Sequence, residues 1–125
     1  MPSGIVNHDR EAIVRLRLRG HRGQELETDA VVDTGYTGAL TLPYSAIEDL
    51  QLPFQRRGTA TLGDGTEVVF DVYQGTVLWE DQLRPLWIDV AEIEPLLGMS
   101  LLYGHELKIE VVEGGGVSIR KLTLS

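Results

Sequence analysis

The amino-acid sequence predicts an all-β fold, a small closed or half-open barrel carrying one or two short helices. Three observations predict it. Apolar and charged residues alternate over short stretches, as in Val14-Arg15-Leu16-Arg17-Leu18-Arg19, which is the period of a strand with one buried face. Glycine-containing turns separate such stretches at short intervals, the clearest being Gly63-Asp64-Gly65 between two β-prone arms. Stretches suited to helix are few and short, and many short strands at regular spacing indicate a small barrel.

In chain order, Gly20-His21-Arg22-Gly23 turns the first strand, and Gln24 to Val32 returns as the second. Asp33 therefore stands at the end of a hairpin's second arm. Ala39-Leu40-Thr41-Leu42 reads as a strand, after which Pro43 and Ser45 open a short helix through Leu50. Thr59 to Leu62 and Thr66 to Phe70 flank the Asp64-Gly65 turn, a strong short-range hairpin signal. Val72 to Trp79 and Leu83 to Val90 are expected to pair about Glu80-Asp81-Gln82. A second short helix is expected over Leu101 to Gly104, followed by a closing pair, Leu107 to Val111 and Val117 to Arg120, around Gly114-Gly115-Gly116. That triple glycine lacks the Gly-Lys-Ser/Thr ending and following helix of a phosphate loop, and reads as a hairpin tip.

A chain of 125 residues, 42% of them apolar, is expected to form one domain with its own core and no second lobe. Eleven basic against nineteen acidic residues give a net charge of −8, which repels nucleic acid and anionic membrane and leaves a peptide or protein as the expected partner. No stretch matches a signal core or a membrane span, so the expectation is a soluble cytoplasmic protein. The absence of cysteine excludes disulfides and cysteine nucleophiles. His8, His21 and His105 share no ligand spacing, so surface histidines are expected and no metal site. Ser45, Ser100 and Ser118 lack the G-x-S-x-G elbow of a serine hydrolase. The basic stripe Arg15, Arg17, Arg19, Arg22, Arg56 and Arg57 reads as a solvated strand face offset by nearby acids. Trp79 and Trp87 read as core or interface anchors.

Asp33-Thr34-Gly35 follows the apolar run Ala30-Val31-Val32, and Thr37 to Leu42 continues it as a returning strand. About sixty residues later the chain reads Pro95-Leu96-Leu97-Gly98-Met99-Ser100-Leu101-Leu102. An isolated D-T-G is also what an ordinary polar turn uses. The combination of the β-branched run, the intervening D-G hairpin and the later apolar-apolar-Gly segment resembles the retropepsin-like aspartic peptidases, specifically their compact prokaryotic single-domain members. The resemblance covers Val14 to Leu124 and implies a barrel of the acid-protease type. An aspartic peptidase needs two carboxylates sharing one proton, and this chain holds a single D-T-G. The resemblance therefore implies a homodimeric endopeptidase in which two chains meet at one active site.

In that scheme the ionised member of the Asp33 pair takes a proton from a water that attacks the scissile carbonyl, while its protonated mate stabilises the oxyanion. No covalent intermediate, metal or cofactor is required. Thr34 would bond across the two-fold axis, and Gly35 would let the substrate backbone come close. The hairpin Leu62-Gly63-Asp64-Gly65 falls where the family places its flap, closing over the peptide. Leu96 and Leu97 would pack beneath the active-site turn and partly line an apolar pocket. Tyr36, where a small residue is common, would narrow the adjacent subsite or swing over it, with Thr37 beside it. Thr37 and Met99 occupy positions where viral members carry an Asp–Arg ion pair. Both halves are replaced together, so an apolar contact can substitute without stranding a charge. Some of Met1 to Val6 and Leu122 to Ser125 are expected to be ordered at the dimer seam, where the family interleaves its termini. Because fold does not dictate function, the same frame also admits a non-catalytic peptide-binding or assembly module, or a monomer competent only when a partner forces dimerisation.

Overall fold

In the computed structural model, which describes residues 2–123, the alternation that opens the sequence is resolved as a strand with two unlike faces. Val14, Leu16 and Leu18 are buried while Arg15 and Arg17 face solvent, as the period-2 pattern requires. The strands are β1 (Ser3–Val6), β2 (Ala12–Arg19), β3 (Glu25–Val32), β4 (Leu40–Leu42), β5 (Phe54–Thr61), β6 (Glu67–Trp79), β7 (Gln82–Val90), β8 (Leu96–Leu97), β9 (His105–Ile109) and β10 (Gly116–Lys121). Two short helices, α1 (Tyr44–Leu50) and α2 (Met99–Leu102), complete the described residues. The fold is mostly β, as the turn spacing implies.

The sheet runs in the order β5-β6-β7-β4-β8-β3-β2-β1-β10-β9, and an additional pairing of β6 with β2 makes it ring-like. That closure is possible because β2 divides one edge between two partners. Its beginning pairs with β1 (Val6↔Ala12) and its end with β6 (Leu18↔Val77). Most neighbours are antiparallel, but β3–β8 and β4–β7 are parallel. The ring interior is filled by fully buried side chains, among them Leu18, Leu40, Leu42, Ile88, Leu97 and Leu101, each contributing about 1.5–3 kcal/mol by leaving water. Outside, Arg15 and Arg17 reach Glu27, Arg15 also reaches Asp29, and Arg19 reaches Glu25. The arginines of β2 are thus paired across the exposed face of β2–β3, as expected of a solvated strand face.

The turns follow their residues. Glu80 and Asp81 both adopt positive φ, 52° and 64°, the two-residue hairpin conformation whose twist matches the flanking strands. At the Gly63–Gly65 tip, the Gly65 amide donates to the Leu62 carbonyl, the Thr66 amide donates to Asp64 Oδ1, and Gly65 takes φ 85°, a conformation costly for a residue with a Cβ. No side chain of its own caps the start of α1. Glu92, just past the end of the neighbouring strand β7, instead accepts the Tyr44 amide.

Several expectations are corrected. β1 is absent from the sequence reading, yet it lies between β2 and β10 with both edges hydrogen-bonded inside the chain (Gly4↔Val14, Gly4↔Val117). Ser3 to Val6 thus form an inner strand of this chain's own sheet. Met1, Leu124 and Ser125 lie outside the described residues. The segments expected as Thr66 to Phe70 and Val72 to Trp79 form one strand, β6, because antiparallel partners flank it along its whole length. α2 begins at Met99, two residues early, since the Gly98 carbonyl accepts the amides of Leu101 and Leu102. β9 runs from His105 to Ile109, being paired with β10 over that stretch. His105 is no surface histidine. Its side chain is 8% exposed; Nε2 accepts the indole N–H of buried Trp79 at 2.9 Å, which leaves the ring proton on Nδ1, 3.0 Å from the Tyr103 carbonyl. Trp87 is half exposed beneath the Arg56 guanidinium, 5.6 Å from its ring centroid.

Candidate active site

The D-T-G turn and the apolar-apolar-Gly segment are brought together by parallel pairing of β3 with β8, Val31↔Leu96 and Val32↔Leu97. Where β3 ends, the Asp33 amide still donates to the Leu97 carbonyl at 2.9 Å. Asp33 Oδ1 accepts the Gly35 amide at 2.9 Å and the Asp33 carbonyl accepts the Tyr36 amide at 3.2 Å. The carboxylate is partly buried while Thr34 and Gly35 are exposed. One carboxylate oxygen thus serves the turn itself.

The other side of the loop is pinned equally closely. The amides of Gly98, Met99 and Ser100 donate to the carbonyls of Ala39, Tyr36 and Gly38 at 2.9, 2.8 and 3.1 Å, and Ser100 Oγ donates to the Thr37 carbonyl at 2.5 Å. The hydroxyl oxygen of buried Thr41 accepts the Leu96 amide at 2.8 Å. This close approach depends on Gly98. A Cβ there would lie 2.2 Å from the Gly38 carbonyl oxygen, 2.5 Å from Tyr36 Cδ2 and 2.7 Å from the Tyr36 carbonyl oxygen.

Tyr36 does not swing freely. Its ring lies against Gly38 and Gly98, and its hydroxyl donates to Asp89 Oδ2 at 2.5 Å. Burial, and then the hydrogen bond and negative charge of Asp89, hold that hydroxyl protonated well above the ordinary tyrosine range. Above the loop lies a cavity of about 730 Å³, bounded by Gly35 to Gly38 with Thr41 on one side, by Thr59 to Thr61 and Val68 to Phe70 of the β5–β6 hairpin on another, and by Asp89 to Ala91 at the end of β7.

Of the residues singled out in the sequence, Gly35, Tyr36 and Thr37 line this cavity. Asp33 immediately precedes that wall. Leu62, Gly63, Asp64 and Gly65 form the hairpin tip beyond the lining residues, and the Asp64 carboxylate is occupied by the Thr66 backbone, which lowers its pKa. Leu97 is fully buried beneath the turn and Leu96 partly so, while the cavity wall is built from other residues. Thr34 faces a separate depression of about 400 Å³ shared with Met99, Tyr103 and Leu107. The sequence reading missed Asp89, and it placed the hairpin's tip, rather than the arms it predicted as strands, at the site. The available signal was an acid within the strand run Trp87-Ile88-Asp89-Val90, whose neighbours Ile88 and Val90 are buried. Among the described residues no group of His, Cys, Asp and Glu is arranged to hold a metal, and no helix is long and apolar enough to cross a membrane.

The fold has a counterpart among solved structures. The crystal structure of a retropepsin-like aspartic protease from Rickettsia conorii is similar to this chain with a TM-score of 0.56, over 97% of this chain and 90% of that one, at 15% sequence identity. The fold is retropepsin-like. No family model matches the sequence, and no curated protein matches it. The likeness therefore rests on overall architecture.

Proposed function

We propose that the protein is an aspartic endopeptidase acting as a two-fold dimer, residues 1–125 forming one half of the site and Asp33 of each copy one half of the dyad. The observation that carries this reading is the placement of the single D-T-G. Asp33 follows β3 with its amide fixed by Leu97, on a retropepsin-like fold, at the edge of a cavity beside the β5–β6 hairpin. One carboxylate in the chain cannot be both base and acid, so a second copy supplies the other. A peptide lies extended between loop and hairpin, where backbone hydrogen bonding resembles strand addition. The ionised Asp33 takes the proton of the attacking water, and its protonated mate donates to the carbonyl oxygen as negative charge develops there.

The surface beside Thr34 favours a second copy. Met99 is 46% and Tyr103 85% exposed, and both border the same depression as Thr34. Because β1 is already paired on both edges, the copies meet through these loops rather than through exchanged Ser3 to Val6 strands. The test is Asp33→Asn, nearly isosteric but unable to act as base. Wild type is expected to cleave an unstructured protein mixture between mildly acidic and neutral pH, to be blocked by a statine-type analogue, and to sediment as a concentration-dependent monomer–dimer. Cleavage surviving in Asp33→Asn would move the chemistry elsewhere. A folded wild type inert throughout that range would leave the non-catalytic peptide-binding module as the better reading.

A further inference from the structure

The cavity beside the Asp33–Gly38 loop is chemically uneven. Val68, Val69, Phe70, Val90 and Ala91 make much of its wall apolar, and threonines add neutral hydroxyls. Asp89 is the single charged residue lining it. Among the described residues Asp89 has no ion-pair partner: the nearby arginines Arg56 and Arg57 are placed on Trp87 and toward Asp71. One of its oxygens accepts the Tyr36 hydroxyl, whereas a carboxylate offers about four acceptor positions. Tyr36 cannot turn away, because its ring is packed against Gly38 and Gly98. The pair therefore places in the wall of a largely apolar cavity a carboxylate of which, among the described residues, one oxygen alone accepts a side-chain hydrogen bond.

Such a site suits a side chain with an apolar stem and a cationic head. Lysine and arginine bury their methylenes along apolar surface while the charged end seeks an anion. The net charge of −8 acts in the same direction, drawing basic peptides toward the protein. We propose that this cavity is a side-chain subsite selecting a lysine or arginine of the bound peptide, with Asp89 receiving the cationic head and Tyr36 as the residue that positions Asp89. The inference rests on the peptidase reading for its setting, and it names a substrate class.

The experiment compares wild type and Asp89→Asn on a mixture of proteome-derived peptides, with cleavage sites read by mass spectrometry. Wild-type cuts are expected to be enriched in Lys or Arg at one fixed position from the scissile bond, and the enrichment to disappear in Asp89→Asn. For synthetic peptides carrying lysine or norleucine at that position, the kcat/KM ratio should be roughly ten- to a hundredfold in wild type, the range of a hydrogen bond to a charged group, and should collapse toward unity in the variant. Cutting without basic enrichment, or enrichment that Asp89→Asn leaves intact, overturns the subsite while leaving the peptidase reading in place. Absence of any cutting overturns the peptidase reading instead. The subsite is then decided by amide chemical shifts of isotope-labelled protein titrated with N-acetyl-lysine N-methylamide and its norleucine counterpart. Shifts at Tyr36, Phe70 and Asp89 with the lysine compound alone support it, and equal responses overturn it. If Asp89→Asn does not fold, Asp89→Thr replaces it, and the lysine-against-norleucine comparison in wild type requires no variant.

Discussion

Gly98→Ala should unfasten the candidate site without touching any charged group. The new methyl would lie 2.2 Å from the Gly38 carbonyl oxygen and 2.7 Å from that of Tyr36, and backbone atoms cannot move aside as a side-chain end can. The two segments must separate, which weakens the bonds from the amides of Gly98, Met99 and Ser100 to the Ala39, Tyr36 and Gly38 carbonyls. At about 1 kcal/mol net for each hydrogen bond, a magnitude that overpacking of a tight core also reaches, the loss is about 3 kcal/mol. That is a large part of the 5–15 kcal/mol typical of a folded chain and lowers Tm by about 10 °C for this length. Urea unfolding and calorimetry at one fixed concentration measure it, and Gly63→Ala serves as control because nothing lies within 4 Å of a Cβ there. The control should change stability by less than about 0.5 kcal/mol. A Gly98→Ala loss below about 1 kcal/mol, with an unchanged urea slope, would refute the claim that this contact locks the loop.

Three further outcomes are expected. Tyr36→Phe should cost about 1–2 kcal/mol through the lost bond to Asp89. Because the folded hydroxyl has a raised pKa, that contribution is complete below the unfolded tyrosine value of about 10 and is lost as pH climbs above it, so the wild-type advantage in denaturant midpoint should hold from neutral to mildly alkaline pH and then shrink. His105→Phe removes the acceptor of the Trp79 indole N–H and should destabilise by about 1–3 kcal/mol, with His105→Gln recovering part of it; equal midpoints for wild type and His105→Phe would count against the bond. Asp33→Asn should tighten self-association at neutral pH, since two facing carboxylates repel, and sedimentation equilibrium giving the same dissociation constant for both proteins would mean that the two side chains do not meet.

Much of the fold is legible because short-range rules produced it. The alternation of Val14 to Arg19, the Glu80-Asp81 turn and the Gly63–Gly65 tip are each decided by residues within a few positions. The D-T-G and Leu96-Leu97-Gly98 segments carry a recognisable order of residues, so their meeting was foreseeable although 63 positions separate Leu96 from Asp33. What remained hidden depends on partners far along the chain. β1 is four residues containing a glycine, with no periodicity to reveal it, and it exists because β2 and β10 flank it. Tyr36 and Asp89 lie 53 residues apart, and His105 and Trp79 lie 26 apart. In each pair neither residue alone announces that it will be partly or wholly buried against the other.

The thirteen-residue length of β6 bears on how the hairpin can move. Its far end forms the cavity wall at Val68 to Phe70, while its near end closes the ring at Thr76 and Val77. The hairpin is therefore the free end of a beam whose other end is clamped, without a loop hinge at its base on the β6 side. The regular pairing of its two strands is interrupted at the register shift between Phe54 and Arg56, opposite Val72 and Tyr73. Nearby Gly75 sets a limit, since a side chain there would strike Ile88 and Leu52. The anchorage of the hairpin thus lies within the core, at the pairing of Leu18 with Val77, both buried well inside the ring.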